Sequence, residues 1–187
     1  QPLSCTGRRV TAAIKWLVVA GNNRHIIDGF YDKYPRGDYR MAKAFGLTEE
    51  ACWTGLDCPT FWATVKPYDG AQEFVNQVLR IASKHYVSVA IASQATWNPM
   101  TLGPKALGLS VFGLPTYVIW GGKKDFLDDG RTLLVDDCAA NCDKWTGPCI
   151  EFPQLWNNRH VLVKDPLKPE YALVLREIRK AVENSHG

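Results

Sequence analysis

The chain has 187 residues, of which 46% are hydrophobic and 11% aromatic, and its formal net charge is +3. That composition excludes a disordered chain and suffices for a real core, and the length suits one domain with room for a small insertion. No stretch approaches the roughly 18 consecutive apolar residues of a membrane-spanning helix, no secretory leader is legible, and no run of Lys and Arg forms a basic arm. A cytoplasmic protein is therefore expected, and neither a membrane nor a nucleic acid is the expected partner.

In chain order, the first element is "AAIKWLVVA" (12–20), apolar and rich in β-branched residues, which reads as a strand buried on both faces. It runs into the turn Gly21, Asn22, Asn23, Arg24. Residues 31–68 carry turn residues and short helical patches, and so read as a small helical insertion after the first strand. Within it Phe61 and Trp62 either glue the insertion to the core or wall a pocket over the strand ends.

From residue 70 the pattern is regular. "GAQEFVNQVLRIASKH" (70–85) places Phe74, Val75, Val78, Leu79 and Ala82 at helical spacing. Strands follow at "YVSVAIAS" (86–93), "TYVIWG" (116–121), "TLLVDD" (132–137) and "CIEF" (149–152), and a last helix over 168–184 carries Tyr171, Val174, Leu175, Ile178 and Val182 on one stripe. Strands separated by helices imply an α/β fold, a doubly wound parallel sheet with the first strand central and helices on both faces. Ligands in such sheets sit at the carboxyl ends of the strands.

The six cysteines, Cys5, Cys52, Cys58, Cys138, Cys142 and Cys149, lack the close pairing of a zinc motif. Cys138 and Cys142 fall on one face if their segment is helical, and with Cys149 they are candidates for a thiolate metal site or a redox pair. Small buried residues and free thiols are the expectation.

The ordered set "IIDGF" (26–30), "FW" (61–62), "KPYDGAQEFV" (66–75), "VAIAS" (89–93), "GGKKDF" (121–126) and "LLVDDCAANCDKW" (133–145) resembles the haloacid dehalogenase (HAD) superfamily, most of all its 5'(3')-deoxyribonucleotidase branch. The resemblance spans residues 12–152. It implies a phosphatase scaffold with a helical cap, in which an aspartate ending the first strand attacks phosphorus. A second aspartate two positions on works as acid and base, and Mg²⁺, a lysine and a hydroxyl hold the phosphate charge.

Carried over position by position, Ser93 falls on the phosphate-gripping hydroxyl, Lys124 or its neighbour Lys123 on the lysine, and Asp136 and Asp137 on the metal-binding pair. The first motif departs from the family. Gly21 stands at the nucleophile position, Asn23 at the acid/base position and Arg24 at the motif glycine, and no Asp or Glu lies between Ala12 and Ile27 to take over. Gly21 has no group to phosphorylate and Asn23 cannot shuttle a proton, so the resemblance implies a scaffold that has lost its covalent chemistry.

Two functions remain open at this point. The first is a degenerate nucleotidase-like protein that binds a nucleotide or other phosphate-containing small molecule through Arg24, Ser93, Lys123 and Lys124, or docks a protein partner. The second is an active Mg²⁺-dependent phosphomonoesterase of non-standard mechanism, with Asp28 and His25 as its candidates beside Asp136 and Asp137. No cofactor is expected under the first reading, and Mg²⁺ is required under the second. Each residue also has a structural reading: the two aspartates end a strand, Ser93 caps a turn, Lys124 is a solvated surface residue, and Arg24 plugs the vacant metal position by pairing with Asp136 or Asp137.

Overall fold

The structure, a computed structural model, describes residues 68–94, 99–110, 118–121, 124–165 and 168–184, with Gly37, Thr48 and Glu50 besides. The expected first strand, the insertion over 31–68, and the candidates Gly21, Asn23, Arg24, His25, Asp28, Phe61, Trp62 and Lys123 lie outside these residues. Of the described residues, 99–110 belong to one compact unit, and 68–94, 118–121, 124–165 and 168–184 to another.

The second unit carries most of the architecture. Helix α1 (Ala71–Lys84) follows Gly70, whose φ of 81° is a left-handed conformation that favours glycine. A Cβ at Gly70 would also lie 3.4 Å from the ring of Tyr171. Of the expected stripe, Ala82 is buried and Phe74 and Val78 pack against the core, while Val75 and Leu79 are half-buried. Ile81, which the expected stripe omits, is buried as well.

The end of α1 explains a difference from the sequence reading. The Val87 amide donates to the Ala82 carbonyl at 2.9 Å and the Tyr86 amide to that of Ser83 at 3.3 Å. This is a Schellman cap, with Tyr86 at the left-handed position and a φ of 55°. The cap consumes the amides that a strand starting at Tyr86 would need. Strand β1 accordingly begins later, at Ile91–Gln94, and runs parallel to β2 (Val118–Gly121) in the register Ile91↔Val118 to Gln94↔Gly121.

Strand β3 (Leu134–Asp136) runs parallel to β4 (Cys149–Glu151), Leu134 facing Cys149 and Asp136 facing Glu151. The two pairs are separate ladders among the described residues. A mixed α/β architecture with parallel strands is thus observed. Between β3 and β4 lies a one-turn helix, Ala139–Cys142, and the chain closes on a long amphipathic helix, Tyr171–Asn184. In the first unit Leu102–Ser110 is helical, preceded by a 3-10 turn at Pro99–Thr101 with Thr101 fully buried. The sequence reading assigned no element there. Numbered in chain order, the helices after α1 are α2 (Leu102–Ser110), α3 (Ala139–Cys142) and α4 (Tyr171–Asn184).

The core lies where α1 and α4 meet the β3–β4 pair. Val174, Leu175, Ile178 and Val182 of α4 are buried with Ile81 and Ile150, and Leu133, Val135 and Phe152 pack around them. Phe74 stacks on Tyr171 at 4.8 Å between centroids, and Phe152 meets both rings edge-on. Desolvation, more than the neighbouring Tyr68 and Asp69, pushes the Tyr171 hydroxyl up to about 12. Arg159, after β4, grips Glu177 of α4 through a two-pronged fork at 2.7 and 2.6 Å and donates to the Glu151 carbonyl at 2.8 Å. That fork fastens the segment beyond β4 to the core helix.

The expectation of free thiols is corrected here. Cys142 and Cys149 form a disulfide, their Cα atoms 5.6 Å apart, and Cys138 is the free cysteine among the described residues. Spacing seven apart along the chain carries no pairing signal. The return of the chain into β4, parallel to β3, brings the two sulfurs together.

A β-carbon in the left-handed region costs about 1 kcal/mol or more, and Tyr86 is 99% exposed, so its ring contributes no compensating burial. Tyr86→Gly is therefore expected to stabilise the chain by about 1 kcal/mol, read as a higher urea midpoint at unchanged slope. A lower midpoint would show that the Tyr86 ring makes a contribution that outweighs its backbone strain.

Candidate functional site

The site is built at the carboxyl end of β3. Burial alternates along the strand: Leu134 is buried, Val135 half-buried and Asp136 buried again. The pleat that sends Leu134 inward therefore sends the Asp136 carboxylate inward as well. Such a charge is costly unless it is paired and hydrogen-bonded.

Among the described residues three groups converge on it. The Lys124 ammonium bonds to Asp136 Oδ2, with the lysine side chain 25% exposed and that of Asp136 1% exposed. The Cys138 amide donates to Asp136 Oδ1 at 2.8 Å, and the Asn141 side-chain amide donates to the same oxygen at 3.1 Å. Lys124 comes from the residue just before a 3-10 turn, Asp125–Leu127, and the other two donors come from the cap and body of α3. A cation, a backbone amide and a side-chain amide thus share one buried carboxylate.

Asp137 follows on the chain and is held differently. Its Oδ2 accepts the Trp156 indole N–H at 3.2 Å, and its carbonyl accepts Asn157 Nδ2 at 3.0 Å. Burial, reinforced by the charge of Asp136, raises its carboxyl above the usual aspartate value; the Trp156 bond and Lys124 oppose that rise. Asn157 is itself buried. Its Nδ2 also donates to the Phe152 carbonyl at 2.6 Å, and its Oδ1 accepts the amides of Gln154 at 3.2 Å and Arg159 at 3.1 Å. One amide side chain therefore ties the end of β3 to the end of β4.

The entry to β3 is fixed by a second set of carboxylates. Asp128 accepts amides from Thr146 at 2.5 Å, Gly130 at 3.1 Å and Gly147 at 3.3 Å, and the Trp145 indole donates to the Thr132 carbonyl at 2.9 Å. The Thr146 amide, chief among these donors, lowers Asp128 below the usual carboxylate value. Asp129 is lowered to about 2, mainly by the amides of Arg131 and Thr132. These bonds hold the loop before β3 against the loop before β4.

Of the residues expected from sequence, the structure brings Lys124, Asp136 and Asp137 together. Ser93 sits in β1, half-buried, in the other parallel pair. The solvated-surface reading of Lys124 is corrected, because its ammonium is spent on Asp136. The expected plug, Arg24, lies outside the described residues; among those described, the cation on Asp136 is Lys124. Asn141 and Trp145 belong to the "LVDD…N…W" pattern noted in the sequence, and both make bonds that pattern does not specify. Trp156 and Asn157 were not anticipated; "LWNN" (155–158) carries no signal that its second and third residues reach back to Asp137.

The resemblance implies Mg²⁺ on the aspartate pair. The described donor set does not suit it: Asp136 already accepts from a cation and two N–H groups, and Asp137 Oδ2 accepts from Trp156. Among the described residues no group of three or more His, Cys, Asp and Glu side chains is arranged to hold a metal. Comparison of the chain with protein-family models, with curated proteins and with solved structures finds no match.

Removing one partner of a buried pair leaves the other charge uncompensated. Lys124→Met is expected to cost about 3 kcal/mol of stability, the low end for a buried pair because Lys124 is partly wet. The double variant Lys124→Met, Asp136→Asn is expected to recover much of that loss. A double variant no more stable than Lys124→Met would show that the lysine stem, not its charge, supplies the stability.

Asp137 also fixes a pH dependence. Its folded-state value is raised, so its contribution to stability is complete below the ordinary 3.8 and is lost as pH rises through the raised value. Asp129 has the opposite sign: its contribution is complete above 3.8 and is lost as pH falls toward 2. Asp137→Asn keeps an acceptor for Trp156 and cannot ionise. Its melting temperature relative to the parent chain is expected to climb as pH rises above 3.8. A constant difference across that range would contradict the raised value.

Proposed function

We propose that the protein is a catalytically degenerate nucleotidase-like member of the HAD group, a doubly wound α/β domain that binds a nucleotide or another phosphate-containing small molecule without turning it over. The observation that carries this reading is the meeting of Lys124 with Asp136 at the carboxyl end of a parallel strand. The two residues stand twelve apart in sequence. The resemblance assigns both to one phosphate site, and nothing in their local sequence requires them to meet.

The same pair favours a binding module over a Mg²⁺-dependent phosphatase. A lysine seated on the carboxylate supplies the positive charge that a divalent ion would otherwise bring, so the two would compete for one place. With Gly21 and Asn23 at the nucleophile and acid/base positions, the chain lacks the side chains of the covalent route. In this reading an incoming phosphate would share Lys124 with Asp136, with Ser93 as a hydroxyl donor and Arg24 as a two-pronged grip.

No described helix is long and apolar enough to cross a membrane. A cytoplasmic location is part of this reading. The Cys142–Cys149 bond would there meet a reducing pool, where disulfides are mostly transient.

Calorimetric titration with inorganic phosphate and with a deoxynucleoside monophosphate, in the presence of a chelator, tests the reading. Metal-independent binding that Ser93→Ala weakens by roughly tenfold, about the worth of one hydrogen bond to a charged group, is the expected result. Phosphate release from the same nucleotide with Mg²⁺ present is expected to stay at background. Robust turnover that Asp136→Ala and Asp137→Ala abolish would overturn the reading in favour of a metal-dependent phosphomonoesterase.

A further inference from the structure

A helix of one turn has no stability of its own, because nucleation is unfavourable and so short a helix never recovers that cost. Helix α3, Ala139–Cys142, is such a helix, and it is held at both ends. At its start, the Cys138 amide and the Asn141 side chain are bonded to Asp136 Oδ1. At its end, Cys142 is bonded through sulfur to Cys149, the first residue of β4. The first clamp is the candidate site itself. The second is covalent and can be opened by reduction. Both cysteines are half-buried, so neither is fully shielded from solvent.

We propose that the Cys142–Cys149 bond is a reversible thiol–disulfide site that governs how Asp136 is held, and that its reaction partner is a low-molecular-weight thiol of the glutathione class. A thiolate of that class attacks one sulfur of the bridge and forms a mixed disulfide, and the other protein sulfur leaves as a thiolate that takes up a proton. A second small thiol attacks the mixed disulfide through its own sulfur, releasing the remaining protein thiolate, which is also protonated. The bridge gains two electrons and two protons, and the two small thiols lose them as they join in their own disulfide. The reverse sequence restores the bridge.

The loss of the bond acts on a limited segment. Trp145 stays anchored on the Thr132 carbonyl, and the amides of Thr146 and Gly147 stay on Asp128. What loosens is the stretch from Cys138 to Asp143, which supplies two of the three described donors to Asp136. With those donors released, Lys124 is the partner that remains on the carboxylate among the described residues. The consequence for the site needs no bound ligand, so it stands apart from the phosphate reading.

The test uses the full chain labelled with ¹⁵N, with and without dithiothreitol. Digestion under non-reducing conditions is expected to yield a linked Cys142–Cys149 peptide pair from the oxidised chain. On reduction, the backbone amide of Cys138 and the side-chain amide of Asn141 are expected to shift, while the amides of Thr146 and Gly147 hold their positions. The melting temperature is expected to fall by roughly 5–10 °C, as for a short cross-linked loop in a chain of this size. Oxidised glutathione is expected to reverse all three changes. Cys149→Ser should show the reduced positions of Cys138 and Asn141 and ignore the reductant, which separates this bond from any other cysteine pairing. Absence of the linked peptide, or a reduction that leaves the Cys138 and Asn141 signals in place, would overturn the proposal. So would a reduction that unfolds the whole chain, since the bond would then be a structural staple. Should Cys149→Ser fail to fold, the comparison of the oxidised and reduced parent chain decides the matter alone.

Discussion

A carboxylate drawn into the interior at the end of a strand must be given a cation and hydrogen-bond donors, and the architecture around β3 answers to that demand. The Asp136 side chain is almost wholly shielded from water, while the Lys124 side chain stays 25% exposed. The lysine can therefore reach a buried partner without full desolvation of its own charge. Neighbouring segments are placed by the same requirement. The turn at Asp125–Leu127 follows Lys124 at the strand end, and α3 is held as a helical turn by the bonds of its cap amide and Asn141 to the carboxylate and by the Cys142–Cys149 bridge.

Support for this pair comes from polar ties of a kind usually made by longer ladders. β3 and β4 are three residues each, too short to stand by backbone pairing alone. Asn157 joins their carboxyl ends, Asp128 joins the loops at their amino ends, and the Arg159–Glu177 fork binds the far side to α4. Behind them α4 presents a continuous apolar stripe to Ile150 and Ile81. A non-directional apolar interface sets the position of the sheet pair, and directional bonds set its register and the aim of the two aspartates.

Adjacent aspartates at one strand end receive unlike environments, since successive residues point to opposite faces. Asp136 meets a cation; Asp137 is raised by burial and by the charge of its neighbour, against the opposing pull of the Trp156 indole N–H. Under the proposed binding role the asymmetry would leave one carboxylate paired with Lys124 and the other as the more readily protonated of the two.

Much of the described fold was legible from periodicity. The stripes of α1 and α4 stand at helical spacing, and Leu134 and Ile150 fall in apolar runs that became short parallel strands, because burial of apolar area depends on a pattern that one sequence carries by itself. "LVDD" likewise announced an acidic strand end. Its partner was not legible, since Lys124 had equal claim to solvent until the turn after β2 brought it back to Asp136. The late start of β1 depended on a Schellman cap that uses a tyrosine where glycine is usual. The bond between Cys142 and Cys149, and the reach of Trp156 and Asn157 to Asp137, arise from the parallel return of β4 beside β3. Sequence by itself determined which faces are apolar and where charge gathers, because those follow from residue type and period. Only the tertiary structure decided which charge meets which donor, because such contacts depend on where the chain comes back in space.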